Sequence, residues 1–140
     1  MNVVELAYTA GIIDGEGCIM IHTQSRPNTS RVGYQAKVFV GNTSEELTRW
    51  LARTYGGKAY FEANKNPKRK DIWRWVITGN KVLTFLELIY PYLKLKKAQA
   101  ELVINFQKVR RGKGHPFTED ELDLAKMQRT VMNELNKRGK

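Results

Sequence analysis

Two segments of the sequence repeat one pattern, in which two extended runs flank a polar turn and a helical segment follows. In the first segment, residues 18–24 and 34–40 flank a turn that contains proline. In the second, residues 58–63 and 72–78 flank a basic turn. Short runs rich in β-branched and aromatic residues, separated by polar turns, are typical of β-hairpins. Two hairpins predict four strands, which need helices to cover one face of the sheet.

Apolar residues at helical spacing predict the remaining elements. Thr43 and Thr118 each precede a glutamate by three residues, which is the spacing of a capping box at a helix start. The predicted order is α-β-β-α-β-β-α-α-α, an α+β domain with one four-stranded antiparallel sheet and helices on one of its faces. The predicted helices cover residues 3–14, 43–55, 81–90, 95–109 and a last segment after 118.

Composition limits the class of partner. The 140 residues suffice for a single domain, 1–140, and carry a net charge of +10. So large a positive charge favours a polyanion, nucleic acid first and an anionic membrane second. Cys18 is the one cysteine, which excludes an internal disulfide and a zinc site built from cysteines and favours an intracellular location. We find neither a membrane-length apolar run nor a signal-peptide pattern.

The first predicted helix has small residues along one face. Ala7, Ala10, Gly11 and Asp14 follow the spacing i, i+3, i+4 and i+7. Small side chains allow close approach of two backbones. The helix therefore either lies tightly on its own sheet or packs against the same helix of a second copy in a twofold dimer.

Glu16 is an unusual residue at the end of this helix, between Gly15 and Gly17. A carboxylate near a helix C-terminus faces the negative end of the helix dipole, and in a basic DNA-binding protein it would also repel phosphate. A divalent cation between the acid and a phosphate would remove both costs. Paired helices would then present two such acids side by side.

Residues 9–17 resemble the nine-residue LAGLIDADG motif of the homing endonucleases. Ile12 and Glu16 are conservative changes from it, Gly15 is a common variant, and Thr9 replaces the leading leucine. Residues 90–97 also resemble the lysine-bearing stretch of that family. The likeness covers about residues 5–108 as a core and leaves 116–138 as a C-terminal helical extension. The motif positions that agree outright are Ala10, Gly11, Ile13, Asp14 and Gly17.

This resemblance implies a sequence-specific DNA endonuclease that hydrolyses both strands with a divalent metal. One motif per chain implies a homodimer through Ala7, Ala10, Gly11 and Asp14. The implied metal ion is Mg²⁺, with Mn²⁺ as a substitute and Ca²⁺ as an ion that binds without supporting cleavage. The implied metal ligands are Glu16 and the carbonyl of Gly15, and the implied catalytic residues are Glu16, Lys96, Asn42 and Arg49.

The sheet is predicted to read the DNA, because alternation turns every second side chain away from the helices. A strand of about eight residues spans about 25 Å, and a dimer would cover a pseudo-palindromic site of about 20 bp. The basic turn at 64–70 is either suited to phosphate contacts or a solvated hairpin tip. The residues predicted to contact DNA are Met20, His22, Gln24, Arg26, Arg31, Gln35, Lys37, Lys58, Tyr60, Glu62, Asn64, Lys65, Lys68, Arg69, Lys70 and Arg74.

Two other functions are compatible with the same motif. Some members of the family assist intron RNA folding as splicing cofactors, and a protein with this fold and an inactive site would be a DNA-binding regulator. Loss of the motif acid would favour the regulator, and Glu16 is present.

Overall fold

The computed structural model describes residues 2–25, 32–110 and 117–138, and it has the predicted α+β architecture. A short 3₁₀ turn, Tyr90–Tyr92, separates the third and fourth helices. The helices are α1 (Val3–Glu16), α2 (Glu45–Tyr55), α3 (Asn80–Ile89), α4 (Lys97–Arg110) and α5 (Glu119–Arg138). The strands are β1 (Gly17–Ser25), β2 (Val32–Asn42), β3 (Lys58–Glu62) and β4 (Ile72–Thr78).

The four strands form one antiparallel sheet in the order β1-β2-β4-β3. The two hairpins are therefore joined through their second strands, with Val38 opposite Ile77. Side chains alternate along the strands, and on the two central strands and β1 those that face the helices include fully buried residues such as Ile19, Ile21 and Val40. The opposite face carries no helix among the described elements, as predicted.

An aromatic group fills the space between α2, α3 and the sheet. Trp75 is fully buried, and its ring lies 5.2 Å from that of Phe85 and 6.4 Å from that of Tyr55. The Trp75 indole N–H donates to the carbonyl of Gly56 at 2.8 Å, which satisfies its one polar group. Trp73, two residues earlier on β4, is only half-buried, and its ring contacts that of Phe61 at 5.5 Å instead of joining this group.

The start of α2 differs from the prediction by one residue. The N-cap is Ser44, whose hydroxyl accepts from the backbone N–H of Leu47 at 3.1 Å, so the capping box of Thr43 and Glu46 is wrong. The third helical position after Ser44 is an apolar leucine, which cannot return the bond. The predicted end of α2 at residue 55 is confirmed. Gly57 follows it with φ +87, and a Cβ there would lie 2.3 Å from the carbonyl oxygen of Val76, so only glycine fits at this turn.

The C-terminal helix packs on the core. Its predicted capping box forms, because the Thr118 N–H donates to Glu121 and the Glu121 N–H donates to the Thr118 hydroxyl. Met132 is fully buried, and the side-chain amide of Asn136 donates to the carbonyl of Ile19 at 3.0 Å on the edge strand β1. The extension therefore braces the sheet. None of the helices described is long and apolar enough to cross a bilayer.

Candidate active site and DNA-facing surface

Glu16 is the last residue of α1, and its side chain is exposed. The helix ends there because the backbone of Gly17 is extended, with φ −84 and ψ 161, and a side chain does not fit at this position, since a Cβ on Gly17 would lie 2.8 Å from the Cα of Ile13. The Gly17 N–H donates to the carbonyls of Ile12 and Ile13, and the chain continues directly into β1. The acid is thus fixed at the junction of a helix and a strand.

Asn42 is the amide side chain that orients this carboxylate. It ends β2, and its Nδ2 donates to Glu16 Oε2 at 2.8 Å. Its Oδ1 accepts from the backbone N–H of Ser44 at 2.8 Å, so both ends of the amide are engaged. Asn42 therefore lies beside the acid, and the catalytic role that the resemblance implies for it stays a prediction.

Lys96 reaches the same helix end from the other side. Its ammonium donates to three carbonyls, those of Ile13 at 3.0 Å, Asp14 at 3.3 Å and Gly17 at 2.6 Å. An ammonium group has three donors, so these bonds use all of them. A cation at a helix C-terminus also offsets the negative end of the dipole, which lowers the cost of the acid at position 16. The catalytic role that the resemblance implies for Lys96 stays a prediction.

Asp14 has a role that the sequence did not suggest. Its carboxylate accepts three backbone N–H groups, from Lys94 at 2.7 Å and from Leu95 and Lys96 at 3.1 Å. These bonds hold the segment before α4 against α1, and they place Lys96 under the helix end. The predicted place of Asp14 at a dimer interface stays a prediction, and its carboxylate is already engaged within the chain.

The outer face of α1 carries the remaining small residues. Ala7, Gly11 and Gly15 are exposed, and no atom lies within 4 Å of a Cβ built on either glycine. Large apolar side chains flank them, with Val4 77% and Tyr8 58% exposed. A helix face with this composition is available for close contact with another helix.

Ala10 and Thr9 lie on the inner face instead. Ala10 is fully buried in the chain's own core, so the prediction of Ala10 at a dimer interface is wrong. Thr9 is fully buried, and its hydroxyl lies 2.7 Å from that of Tyr55. Burial raises the pKa of Tyr55, and the bond to Thr9 opposes that rise in part. Thr9 therefore replaces an apolar contact with a hydrogen bond between α1 and α2.

The open face of the sheet carries the predicted polar side chains. His22 and Gln35 are cross-strand partners, and their side chains are joined by a 2.9 Å hydrogen bond. Arg74 forms an ion pair with Glu62 at 2.7 Å. Phe39 lies beneath two cations, with Lys37 Nζ 5.5 Å and the Arg74 guanidinium carbon 4.8 Å from the ring centroid. Phe39 was missed because aromatic residues in strands are usually assigned to the core.

Sequence and structure comparisons agree with this geometry. The chain is 29% identical to DNA endonuclease I-CvuI of Chlorella vulgaris over 108 residues, which are 75% of this chain and 65% of that protein. No protein-family model matches the chain. A solved structure of I-CvuI with its target and Ca superposes with a TM-score of 0.78 at 23% identity, over 94% of this chain and 82% of that one.

Two further structures show the same architecture. The archaeal intron-encoded homing endonuclease I-Vdi141I, complexed with DNA, has a TM-score of 0.76 at 14% identity and covers 94% of this chain and 84% of its own. The I-SmaMI LAGLIDADG homing endonuclease, bound to cleaved DNA, has a TM-score of 0.74 at 14% identity and covers 92% of this chain and 44% of its own.

The chain has the LAGLIDADG homing endonuclease fold. The resemblance predicted from residues 9–17 is confirmed. The motif forms the C-terminal two turns of α1 and the junction with β1, and its eighth residue, Glu16, is the exposed acid.

The donor set at the end of the LAGLIDADG helix fits a hard divalent cation. A carboxylate and helix-end carbonyls are the oxygen ligands that Mg²⁺ and Ca²⁺ prefer. Structures of I-CvuI were obtained in the presence of Mg or Ca. Within residues 2–25, 32–110 and 117–138, however, no group of three or more His, Cys, Asp or Glu side chains could hold an ion. A cation at Glu16 would therefore take its other ligands from backbone carbonyls, from water or from groups outside these residues.

Other predicted residues are distributed around the LAGLIDADG core. Arg49 is held by Glu45 at 2.7 Å and lies 5.2 Å over the ring of Trp73, whose strand partner is Asn42. No described bond joins Arg49 to the acid, and its catalytic role stays a prediction. Arg26 and Arg31 lie outside the described residues. The remaining predicted DNA-contact residues of the second hairpin, all exposed or half-buried, are Lys58, Tyr60, Asn64, Lys65, Lys68, Arg69 and Lys70.

Proposed function

We propose that two copies of this chain form a site-specific, metal-dependent DNA endonuclease. The observation that carries the proposal is the exposed Glu16 carboxylate, oriented by Asn42 at 2.8 Å and located at the end of a helix whose outer face is lined by small residues. An isolated acid at that position serves no described structural contact other than the one to Asn42. Its surroundings suit a ligand that arrives from outside the chain.

The outer face of α1 supports a homodimer. Ala7 and Gly11 leave room for a second helix, and Val4 and Tyr8 expose apolar surface that contact would cover. The comparison with I-SmaMI also supports two copies, because this chain matches 44% of the I-SmaMI chain, which is therefore about twice as long as the matched region. Pairing the two α1 helices in parallel would bring the two Glu16 carboxylates together near the twofold axis.

The open face of the sheet supports double-stranded DNA as the substrate. Its polar side chains stand on strands long enough to follow the major groove, and the chain carries a net charge of +10. I-CvuI and I-Vdi141I were solved with DNA. The proposed site is pseudo-palindromic and about 20 bp long, because each sheet spans one half-site of about 25 Å.

Each residue of the cluster has a defined task in hydrolysis. Glu16 of each copy would hold a Mg²⁺ ion through a carboxylate oxygen, with Asn42 fixing the orientation of that carboxylate. Such an ion would polarise a water and stabilise the charge that develops on the phosphate. The positive charge of Lys96 offsets the negative end of the helix dipole next to Glu16. Its ammonium would donate to a water if one of its three hydrogen bonds to carbonyls opened.

The test begins with selection of duplexes from a randomised library in Ca²⁺, which provides a target for this protein. A supercoiled plasmid carrying the selected site is then incubated with Mg²⁺, Mn²⁺, Ca²⁺ or EDTA. We expect double-strand cutting with Mg²⁺ and Mn²⁺ and binding without cutting in Ca²⁺. Glu16→Gln should cut at least about a hundredfold more slowly and still bind the site, whereas Glu87→Gln on the exposed side of α3 should cut normally.

Three outcomes would contradict the proposal. Wild-type cutting by Glu16→Gln would remove the acid from the chemistry. Specific binding without cutting in any metal would indicate a DNA-binding regulator. Stimulation of intron RNA splicing without DNA cleavage would indicate a splicing cofactor.

A further inference from the structure

Arg74 occupies the centre of the open sheet face. It lies in the middle of β4, with Gly41 of β2 as its partner on one side and Tyr60 of β3 on the other. Gly41 has no side chain that could cover the guanidinium, so on the β2 side it contacts Phe39 instead. Because the residue lies between two strands rather than at a hairpin tip, it is placed to face bases more than the phosphates at the edge of a groove.

Two contacts hold the guanidinium in one orientation. Arg74 Nε donates to Glu62 Oε2 at 2.7 Å, and the guanidinium carbon lies 4.8 Å from the Phe39 ring centroid. The Arg74 side chain is 23% exposed and that of Glu62 46%, so the pair remains accessible to a ligand. A planar cation that is bound through Nε and lies on an aromatic ring has little freedom to rotate.

The unused edge of the guanidinium is the part that could recognise a base. Arginine has five N–H donors, and Glu62 takes one of them. Among the described residues no other hydrogen-bond partner of Arg74 is found, which leaves the donors of Nη1 and Nη2. These donors form a fork that matches O6 and N7 of guanine in the major groove.

We propose that Arg74 reads one guanine in each half-site, with Glu62 and Phe39 as positioning residues. This inference rests on the proposed function, since it requires DNA on the sheet. It also explains an acid on a DNA-facing surface: Glu62 orients the arginine, and its charge is neutralised by it. A lysine at position 74 would keep the charge but lose the planar fork.

The experiment is the same library selection, performed in Ca²⁺ with the full chain and with Arg74→Lys, Arg74→Ala and Glu62→Gln. Wild-type protein should enrich one guanine at symmetric positions of the two half-sites. We expect Arg74→Lys to reduce the preference for that guanine about tenfold or more, with the other positions unchanged. Glu62→Gln should reduce the preference less. Lys126→Gln, an exposed cation on α5, serves as the control with an unchanged profile.

The possible outcomes separate this inference from the proposed function. An unchanged guanine preference in Arg74→Lys and Arg74→Ala overturns the inference and leaves the nuclease intact. Uniformly weaker binding by Arg74→Ala with the same profile also overturns it, because that result identifies a phosphate contact. If the wild-type chain enriches no sequence, the proposed site-specific function fails and the inference fails with it. Circular dichroism of each variant verifies that it is folded.

Discussion

Two carboxylates at the end of α1 are separated by a single residue and have opposite surroundings. On the inner side, Asp14 accepts three backbone N–H groups from a segment that follows it by about eighty positions. On the outer side, Glu16 is exposed and accepts one bond from Asn42. The same chemical group therefore stabilises the fold at position 14 and is available to bind a ligand at position 16.

This difference indicates how one short motif serves both folding and chemistry. A carboxylate with its lone pairs occupied by backbone donors stabilises the chain, and it has little capacity left for a metal ion. A carboxylate left exposed contributes little to stability, but it retains that capacity. Variants of the inner side should therefore change the free energy of unfolding, and variants of the outer side should change assembly or cutting.

The largest effect on stability is expected from Asp14→Ala. It leaves three backbone donors without their partner and releases the segment that carries Lys96. Hydrogen bonds to a charged group contribute about 1.5–3 kcal/mol each and are not additive, so we expect a loss of about 3 kcal/mol in urea unfolding. Glu16→Ala is the matched control and should change stability by about 0.5 kcal/mol or less. Equal destabilisation by the two variants would refute the division between the sides.

A smaller effect is expected from Lys96→Met, which keeps the length of the side chain and removes its charge. Three carbonyls at the end of α1 lose a donor, and the helix dipole loses a compensating cation. We expect a loss of about 1–2 kcal/mol in urea unfolding. Single-turnover cutting, measured where the variant is fully folded, decides whether the lysine also acts on water. Wild-type cutting by the folded variant would leave Lys96 with a structural role alone.

The sequence predicted the elements well, because each depends on local signals. Alternating apolar residues specify both hairpins, and Thr118 with Glu121 specifies the start of α5. The family resemblance pointed to Asn42 and Glu16 as residues of one site, which their spacing in the sequence does not indicate. The α2 cap was misplaced because Thr43 and Ser44 are both good caps, and the choice depends on the turn that Asn42 makes.

The contacts of α1 could not be read from the sequence for a different reason. A stripe of small residues does not reveal which side meets the core, since Ala10 packs inside and Gly11, its neighbour, is exposed. The partners of Asp14 are backbone N–H groups, which every residue except proline has, so they leave no side-chain signature. Thr9 forms a hydrogen bond with Tyr55 on the next helix, and the replacement of leucine by threonine does not indicate which residue is its partner.

The smallest change in the free energy of unfolding is expected at Gly11, where a substitution should stabilise the chain instead of destabilising it. Replacing a helical glycine with alanine stabilises a helix by about 0.5–1 kcal/mol, and a Cβ here meets no atom within 4 Å. Gly11→Ala should therefore unfold at a higher urea concentration when the protein is dilute enough to be monomeric.

The same substitution tests the proposed dimer. If the α1 helices pack together through Gly11, the added methyl group separates them, and sedimentation should show weaker dimerisation, more so for Gly11→Leu. Ala98→Leu, on the exposed side of α4, is the control that enlarges a side chain away from this face. An unchanged dimer of Gly11→Leu would move the interface elsewhere on the chain, because a buried glycine contact cannot accept a leucine without displacement of the backbones.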